Sequence, residues 1–430
     1  MRNLLLAAAI LTILASCSET EDFPKDSRAS LKMLIPCCKD TFASTYIDPF
    51  LQEYPFVNVE VLTVDSLIDP RKPYFDQVAA IIREERPDLV QLFGSSYQAL
   101  AGEGALKPLE TLLKDRKFDA GGIHPAVLES LEKLGDGELY GLSPYFTSYA
   151  VFYNRDLFDA AGVAYPENHM SWEEVFALAA QFSETEVDGK RVAGLYHPNS
   201  PITIIREIGI TNGLTEFDVS QALTIDSKSW LDVWNLVVDG ERERVLRSNA
   251  TDGTTDLFLA GEAAMTLNHF YYPNELQKSS GSFAWGVVTV PVDPNQRTKS
   301  SLFGLHDIFS IPVVAENEEA AWGFLAYVNG ESYAAKMSKS TLNLLSRTDF
   351  VADKYGIDIS PFYILNPSEN NFFTYRLPLE HQQAIDRFNA ILDEEARRAI
   401  RNEKETEQAI ADAMRQLEPL LAAEEGGSPE

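Results

Sequence analysis

The stretch Leu139-Tyr-Gly-Leu-Ser-Pro-Tyr-Phe-Thr-Ser-Tyr-Ala-Val-Phe-Tyr-Asn-Arg-Asp156 decides how this chain is divided. A glycine turn, Gly135-Asp-Gly137, leads into it, and Pro144 interrupts it near the middle. After the proline come an apolar, aromatic run from Tyr149 to Tyr153 and a helix start at Asn154 to Phe158. This pattern reads as a passage in which the polypeptide leaves one lobe and enters a second. The side chains between Pro144 and Tyr149 would then line the floor of the cleft between them.

Upstream, strand and helix patterns alternate. Ser30 to Pro36 reads as a strand, Thr41 to Glu53 as a helix with Phe42, Tyr46, Phe50 and Leu51 at helical spacing, and Val57 to Leu62 as an alternating strand. A helix over 73–85 and a short buried strand over 87–93 follow, with Gly94-Ser-Ser96 as the exit loop and Tyr97 to Leu113 helical around a break at Gly102 to Gly104. This β-α-β-α-β rhythm implies a parallel sheet with helices on both faces. Such sheets bind ligands at the carboxyl ends of their strands, here Cys37 to Asp40 and Gly94 to Tyr97.

Downstream, a short helix from Asn154 ends at Gly162, and Ser171 with Glu174 forms a capping box for the helix from Trp172 to Phe182. Val192 to Tyr196 reads as a strand with an exit loop from His197 to Pro201. Strands are also expected before the aromatic cluster His269-Phe-Tyr-Tyr272 and over 283–291. His306 and Asp307 are set into an apolar run from Leu302 to Pro312. Helices are expected over 317–328, 332–338 and most of 378–423. All five tryptophans, 172, 230, 234, 285 and 322, fall inside periodic elements and read as core.

At 430 residues the chain exceeds one comfortable core, so two domains are expected. Its 45% apolar and 23% charged content is that of a globular protein. A net charge of −29 leaves no basic surface to displace counterions from phosphates, which excludes nucleic acid as a partner. At the start, Met1-Arg2-Asn3 and the apolar run Leu4 to Leu14 form a processing signal rather than a bilayer span. Cys37 and Cys38 are adjacent, with Cα atoms about 3.8 Å apart, below the usual disulfide range of about 4.4–6.8 Å. Free thiols are therefore expected. No His or Cys stands at ligand spacing from them, so no metal site is expected.

Several ordered landmarks resemble the extracytoplasmic solute-binding proteins of ABC importers, in the large sugar- and oligosaccharide-binding, maltodextrin-type family. They are Pro87-Asp-Leu-Val with Gly104-Ala-Leu-Lys-Pro-Leu109, Leu139-Tyr-Gly-Leu-Ser-Pro144, Tyr153-Asn-Arg-Asp-Leu-Phe-Asp-Ala-Ala-Gly162 and Ser171-Trp-Glu-Glu174. Phe258-Leu-Ala-Gly-Glu-Ala-Ala-Met-Thr266, Val288-Thr-Val-Pro291 and Glu318-Glu-Ala-Ala-Trp-Gly-Phe-Leu325 complete the series. The resemblance spans about residues 30–425. Leu14-Ala-Ser-Cys17 likewise resembles a bacterial lipobox, in which Cys17 becomes the lipidated first residue. Acyl chains would then anchor the protein without a transmembrane helix.

The resemblance implies an α/β fold of two lobes with three hinge crossings, near 144–148, 303–307 and 341–346. It implies a signal peptide over 1–16, a tether over 17–29 and a disordered tail over 426–430. Lobe one would be 30–144 plus 308–341, and lobe two 148–303 plus 346–425. Carried over position by position, the ligand-binding residues are Lys39 and Asp40 after the first strand, Ser95, Ser96 and Tyr97 after the third, and Tyr145 and Thr147 in the hinge. Asn199, Ser200, Tyr271, Tyr375 and Arg376 complete the carried-over set. His269 and the pair His306-Asp307 are local novelties. Ser95 and Ser96 replace an acidic–basic pair and Thr147 a carboxylate, so the cleft is less charged and the sugar stays unnamed. Tyr97 and Tyr145 can equally pack, Lys39-Asp40 can be a solvated turn, and His306 with Asp307 can be a satisfied pair beneath the hinge.

The expected function is a lipid-anchored, monomeric, extracytoplasmic binding component that needs no cofactor, holds a small-molecule ligand and delivers it to ABC permease subunits. A rival is a sensor of the same shape that serves a receptor kinase. A secreted carbohydrate-active enzyme would need two carboxylates about 5–9.5 Å apart across a cleft. Asp40 and Asp307 are the acidic candidates, and no motif pairs them.

Overall fold

A computed structural model describes residues 23–69, 74–187, 189–249, 255–279, 283–341, 343–351, 356–373, 375, 377–379 and 381–426. The expected signal peptide, Cys17 and Arg376 lie outside these residues, as do 427–430 of the expected tail. Within the expected tether, Phe23 is already docked: it is 5% exposed and packs against Tyr54, ring centroids 5.5 Å apart.

Two sheets organise a two-lobed α/β fold. The first contains strands β1 (Ser30–Ile35), β2 (Asn58–Thr63), β3 (Leu89–Leu92) and β4 (Gly141–Leu142). Its order is β2-β1-β3, then the returning strand Ile308–Ser310, then β4. The β1–β2 and β1–β3 pairs are parallel, as the alternating pattern implies, whereas Ile308–Ser310 runs antiparallel to both β3 and β4. At Gly141 the chain passes so close to that strand that a Cβ would lie 2.5 Å from Ser310 Oγ and 2.7 Å from Phe309 O. No larger residue fits there without displacement.

The second sheet is built on β5 (Tyr145–Asn154), nine of whose ten residues are buried. Such a strand, covered on both faces, is rich in aromatic and β-branched residues. Antiparallel partners flank it, Trp285–Thr289 on one side and Ala263–His269 on the other, with Ala193–His197 and Leu246–Ser248 continuing in parallel. The first residues of β5 pair elsewhere: Tyr145 and Phe146 with Leu345 and Leu344, and Thr147 and Ser148 with Gly304 and Phe303. Three passes of the chain therefore meet on this one strand.

Local chemistry explains the helices that follow. Asn154 Oδ1 accepts from Leu157 N at 3.1 Å, and Gly162, at φ 67°, ends that helix in the left-handed region. Ser171 and Glu174 form the expected reciprocal capping box. Trp172, Trp230, Trp234 and Trp322 are fully buried, each a gain of about 2–3 kcal/mol in removed apolar surface. Trp285 is only partly buried. Among the described residues, no helix is long and apolar enough to cross a membrane.

Four features differ from expectation. The expected helix over 41–53 begins at Lys39 and widens into a π-helical turn over Ala43–Ile47 before Asp48–Glu53. A helix starts at Gly94 itself, so Ser95 and Ser96 occupy its first turn rather than a loop. The helix Pro125–Leu134, capped by His124 Nδ1 accepting from Ala126 N at 3.0 Å, was not anticipated. Finally, Cys37 and Cys38 are joined as a disulfide, correcting the expectation of free thiols. Cys38 adopts the left-handed conformation, φ 58° and ψ 49°, where the strand gives way to helix.

Candidate ligand-binding site

Alternate residues of a strand share one face, and Tyr145, Thr147 and Tyr149 accordingly line one wall of a cavity of about 330 Å³. His269, the last residue of the neighbouring strand, and Phe270 and Tyr271 after it also line the cavity, with His306 and Asp307 from the second crossing and Asn343 from the third. The Tyr271 hydroxyl donates to Asn343 Oδ1, joining two of the lining residues. Tyr145, Thr147, His269, Tyr271, His306 and Asp307, all anticipated from sequence, are thus brought together.

Asp307 is the polar centre. Its Oδ2 accepts from Tyr46 at 2.7 Å and its Oδ1 from Gln91 Nε2. The π-helical turn carries Tyr46, which fits the association of such turns with functional sites. The hydroxyls of Tyr145 and Tyr333 pair at 2.9 Å, and Tyr333 donates to Thr45 O at 3.0 Å. Burial pushes Tyr145 up to about 12. Burial also raises Tyr46 and Tyr271, and the Asp307 charge adds to both. These phenols are therefore protonated donors at neutral pH. His269 and His306 are pushed below the ordinary histidine value by desolvation, partly opposed by Glu275 and Asp307 respectively. Both rings are neutral at pH 7.

A second cavity of about 280 Å³ adjoins the first, with His306 lining both. Ser95 and Phe93 line it from the first lobe, and Pro367 to Glu369, Asn371 and Phe373 from the last crossover region. Phe93 and Phe373 each meet His306 edge to face, at 6.4 and 6.0 Å between centroids. Phe373 also lies 5.9 Å from Tyr149, so a line of rings separates the two chambers. Lys133 Nζ donates to the Glu369 carbonyl at 3.0 Å, tying this segment to the first lobe.

The other anticipated residues lie apart from these cavities. Tyr97 is fully buried in the first core, where its hydroxyl accepts from Tyr140 N at 2.8 Å. Ser96 is buried beside it, against a small recess behind Phe93. Lys39 and Asp40 are exposed, and Lys39 Nζ reaches Val61 O at 3.2 Å. Asn199 and Ser200 sit before the helix Pro201–Thr211, with Ser200 Oγ 3.0 Å from Thr203 Oγ1. The Tyr375 hydroxyl lies 3.2 Å from both the amide and Oε2 of Glu216, within the second lobe. Sequence reasoning missed Tyr46, Gln91, Asn343 and Phe373. Tyr149, which the strand period sets on the same face as Thr147, lines the same pocket.

Two α/β lobes that meet on one shared strand, with an aromatic pocket in the join, define a protein built to enclose a small ligand. The chain belongs to the family described as bacterial extracellular solute-binding protein, which it matches over residues 39–335. A binding protein of Brucella abortus is 24% identical over 251 residues, which are 55% of this chain and 57% of the relative. The chain thus spans little more than half the length of that relative. A maltooligosaccharide ABC transporter solute-binding lipoprotein of Streptococcus pneumoniae is 22% identical over 346 residues, 74% of each chain. Among solved structures, an ABC substrate-binding protein of Listeria monocytogenes in complex with cycloalternan has the same fold, with TM-score 0.60 and 19% identity over 92% of this chain and all of that one.

Proposed function

We propose that this chain is the lipid-anchored substrate-binding component of an ABC importer, and that it holds a sugar or oligosaccharide in the hinge pocket by closing its lobes. One observation carries the reading: a single pocket gathers rings and hydrogen-bonding groups from β5, from the second lobe and from all three crossings. Pyranose rings present apolar faces to aromatic side chains and hydroxyls to groups such as Thr147 and Asp307. The names of the pneumococcal relative and of the Listeria complex, both carbohydrate binders, support this ligand class.

A ligand that touches both lobes only when they close shifts the population toward the closed form. The closed surface would then dock on the permease pair. Cys17, outside the described residues, would supply the anchor. A thermal-shift screen of mono- and oligosaccharides tests the ligand class, because a micromolar ligand at millimolar concentration stabilises by about 4 kcal/mol. Small-angle scattering then tests closure: unchanged dimensions at proven saturation would sink the clamp. Metabolic labelling with palmitate should mark the native chain and leave Cys17→Ser unlabelled.

A further inference from the structure

Among the described residues, the hinge pocket contains a carboxylate but no compensating cation. Among the described residues, no Lys or Arg lines it, and none forms an ion pair with Asp307. The partners of Asp307 are two neutral donors, Tyr46 and Gln91, one on each oxygen. An ionised carboxylate accepts at about four lone-pair sites, so each oxygen of Asp307 keeps acceptor capacity where the residue lines the cavity. Much of the remaining wall is aromatic, including Tyr145, Tyr149 and Tyr271, and such rings attract cations over their faces.

We infer that the ligand of this pocket carries a single protonated amino group, seated against Asp307 between the aromatic walls. The inference rests on the sugar-binding reading above and narrows it to an amino-bearing saccharide. A hydroxyl donated to Asp307 would satisfy a lone pair without supplying an opposite charge. An ammonium group supplies both the hydrogen bond and the opposite charge, and charge-assisted bonds are the stronger kind. His269 and His306, the other titratable groups lining the pocket with Asp307 and the tyrosines, are held neutral by desolvation and do not supply that charge at pH 7. One carboxylate matches one ammonium, which sets a monoamine apart from a polyamine.

Calorimetry on the folded chain compares glucosamine, galactosamine, mannosamine and the β-1,4-linked glucosamine disaccharide with their N-acetylated counterparts and with maltose, in buffer at pH 7. At least one free amine is expected to bind about tenfold more tightly than its acetylated partner, a difference of about 1.4 kcal/mol. Asp307→Asn should erase that preference and Asp307→Glu should restore part of it. If Asp307→Asn fails to fold, the native protein provides the check: its preference must vanish once the pH exceeds the pKa of the amine. Equal affinity for amine and acetylated or neutral sugars overturns the inference while the sugar reading stands. A preference that survives Asp307→Asn or amine deprotonation also overturns it. Binding by none of these saccharides overturns the inference, and overturns the sugar reading too only when no saccharide of the thermal-shift screen binds either.

Discussion

The Tyr46 hydroxyl donates to Asp307 Oδ2 at 2.7 Å, joining residues 261 positions apart. One sits on the π-helical turn after β1 and the other on the second crossing, so the bond fixes the polar centre of the pocket to the first lobe. Hydrogen bonds to charged groups contribute about 1.5–3 kcal/mol. Tyr46→Phe is therefore expected to lower stability by an amount in that range and to weaken ligand binding about tenfold, because Asp307 loses one of its two anchors. Melting curves and calorimetry check this. Unchanged affinity would show that the bond serves packing alone.

The contact between Tyr271 and Asn343 joins two residues that line the pocket and links the second lobe to the third crossing. Tyr271→Phe keeps the ring and removes the donor. The variant is expected to populate a more open form, visible as a larger radius of gyration without ligand and a weaker apparent affinity. Identical scattering from the two proteins would count against a latch.

Acidification should weaken the fold before its carboxylates titrate. Burial depresses His124, and desolvation depresses His269 and His306, below the ordinary value of 6.5. Between the depressed folded value and 6.5 the unfolded chain binds more protons, so stability rises with pH across that window. The contribution is fully present above 6.5 and is lost as pH falls through the folded values. Asp119, held down chiefly by its hydrogen bond from Arg347, contributes a loss only farther down, below 3.8. Melting temperature should thus decline from about pH 6.5 downward, and less steeply in a His269→Gln, His306→Gln double variant. A flat profile between pH 7 and 5 would contradict this.

Gly141→Ala is expected to destabilise the first lobe by about 1–3 kcal/mol, the usual penalty for overpacking. The added Cβ meets backbone at Phe309 as well as the Ser310 side chain, so relief requires moving a strand. Gly102→Ala, with nothing within 4 Å of the new carbon, serves as the contrast and should be neutral or slightly stabilising. Urea denaturation of the two variants separates these outcomes.

The division into lobes was legible because Pro144 and the switch to a continuous apolar run announce a change of surroundings, and because Ser171, Glu174 and Gly162 state their roles locally. The pocket was legible where it draws on β5 and the second crossing. Tyr46 was hidden because its spacing from Phe42 and Phe50 is that of any core-facing helix residue. Only the wide turn over Ala43–Ile47 aims its hydroxyl at Asp307. Gln91 and Asn343 reach the site through pairings 216 and 72 positions apart in sequence, for which no local pattern exists. Tyr97 misled in the opposite sense: a helix beginning at Gly94 turns it into the core.

The strand Ile308–Ser310 lies between β3 and β4 in the first sheet. This bears on how the protein is made, for Gln91 and Asp307, partners at that junction, are 216 positions apart. Folding that depends on such distant pairings is slow. The first lobe cannot complete its sheet until the chain has been synthesised beyond residue 308, and until then β3 and β4 have unpaired edges. This interleaved strand order therefore delays the closure of the first lobe until most of the chain is available.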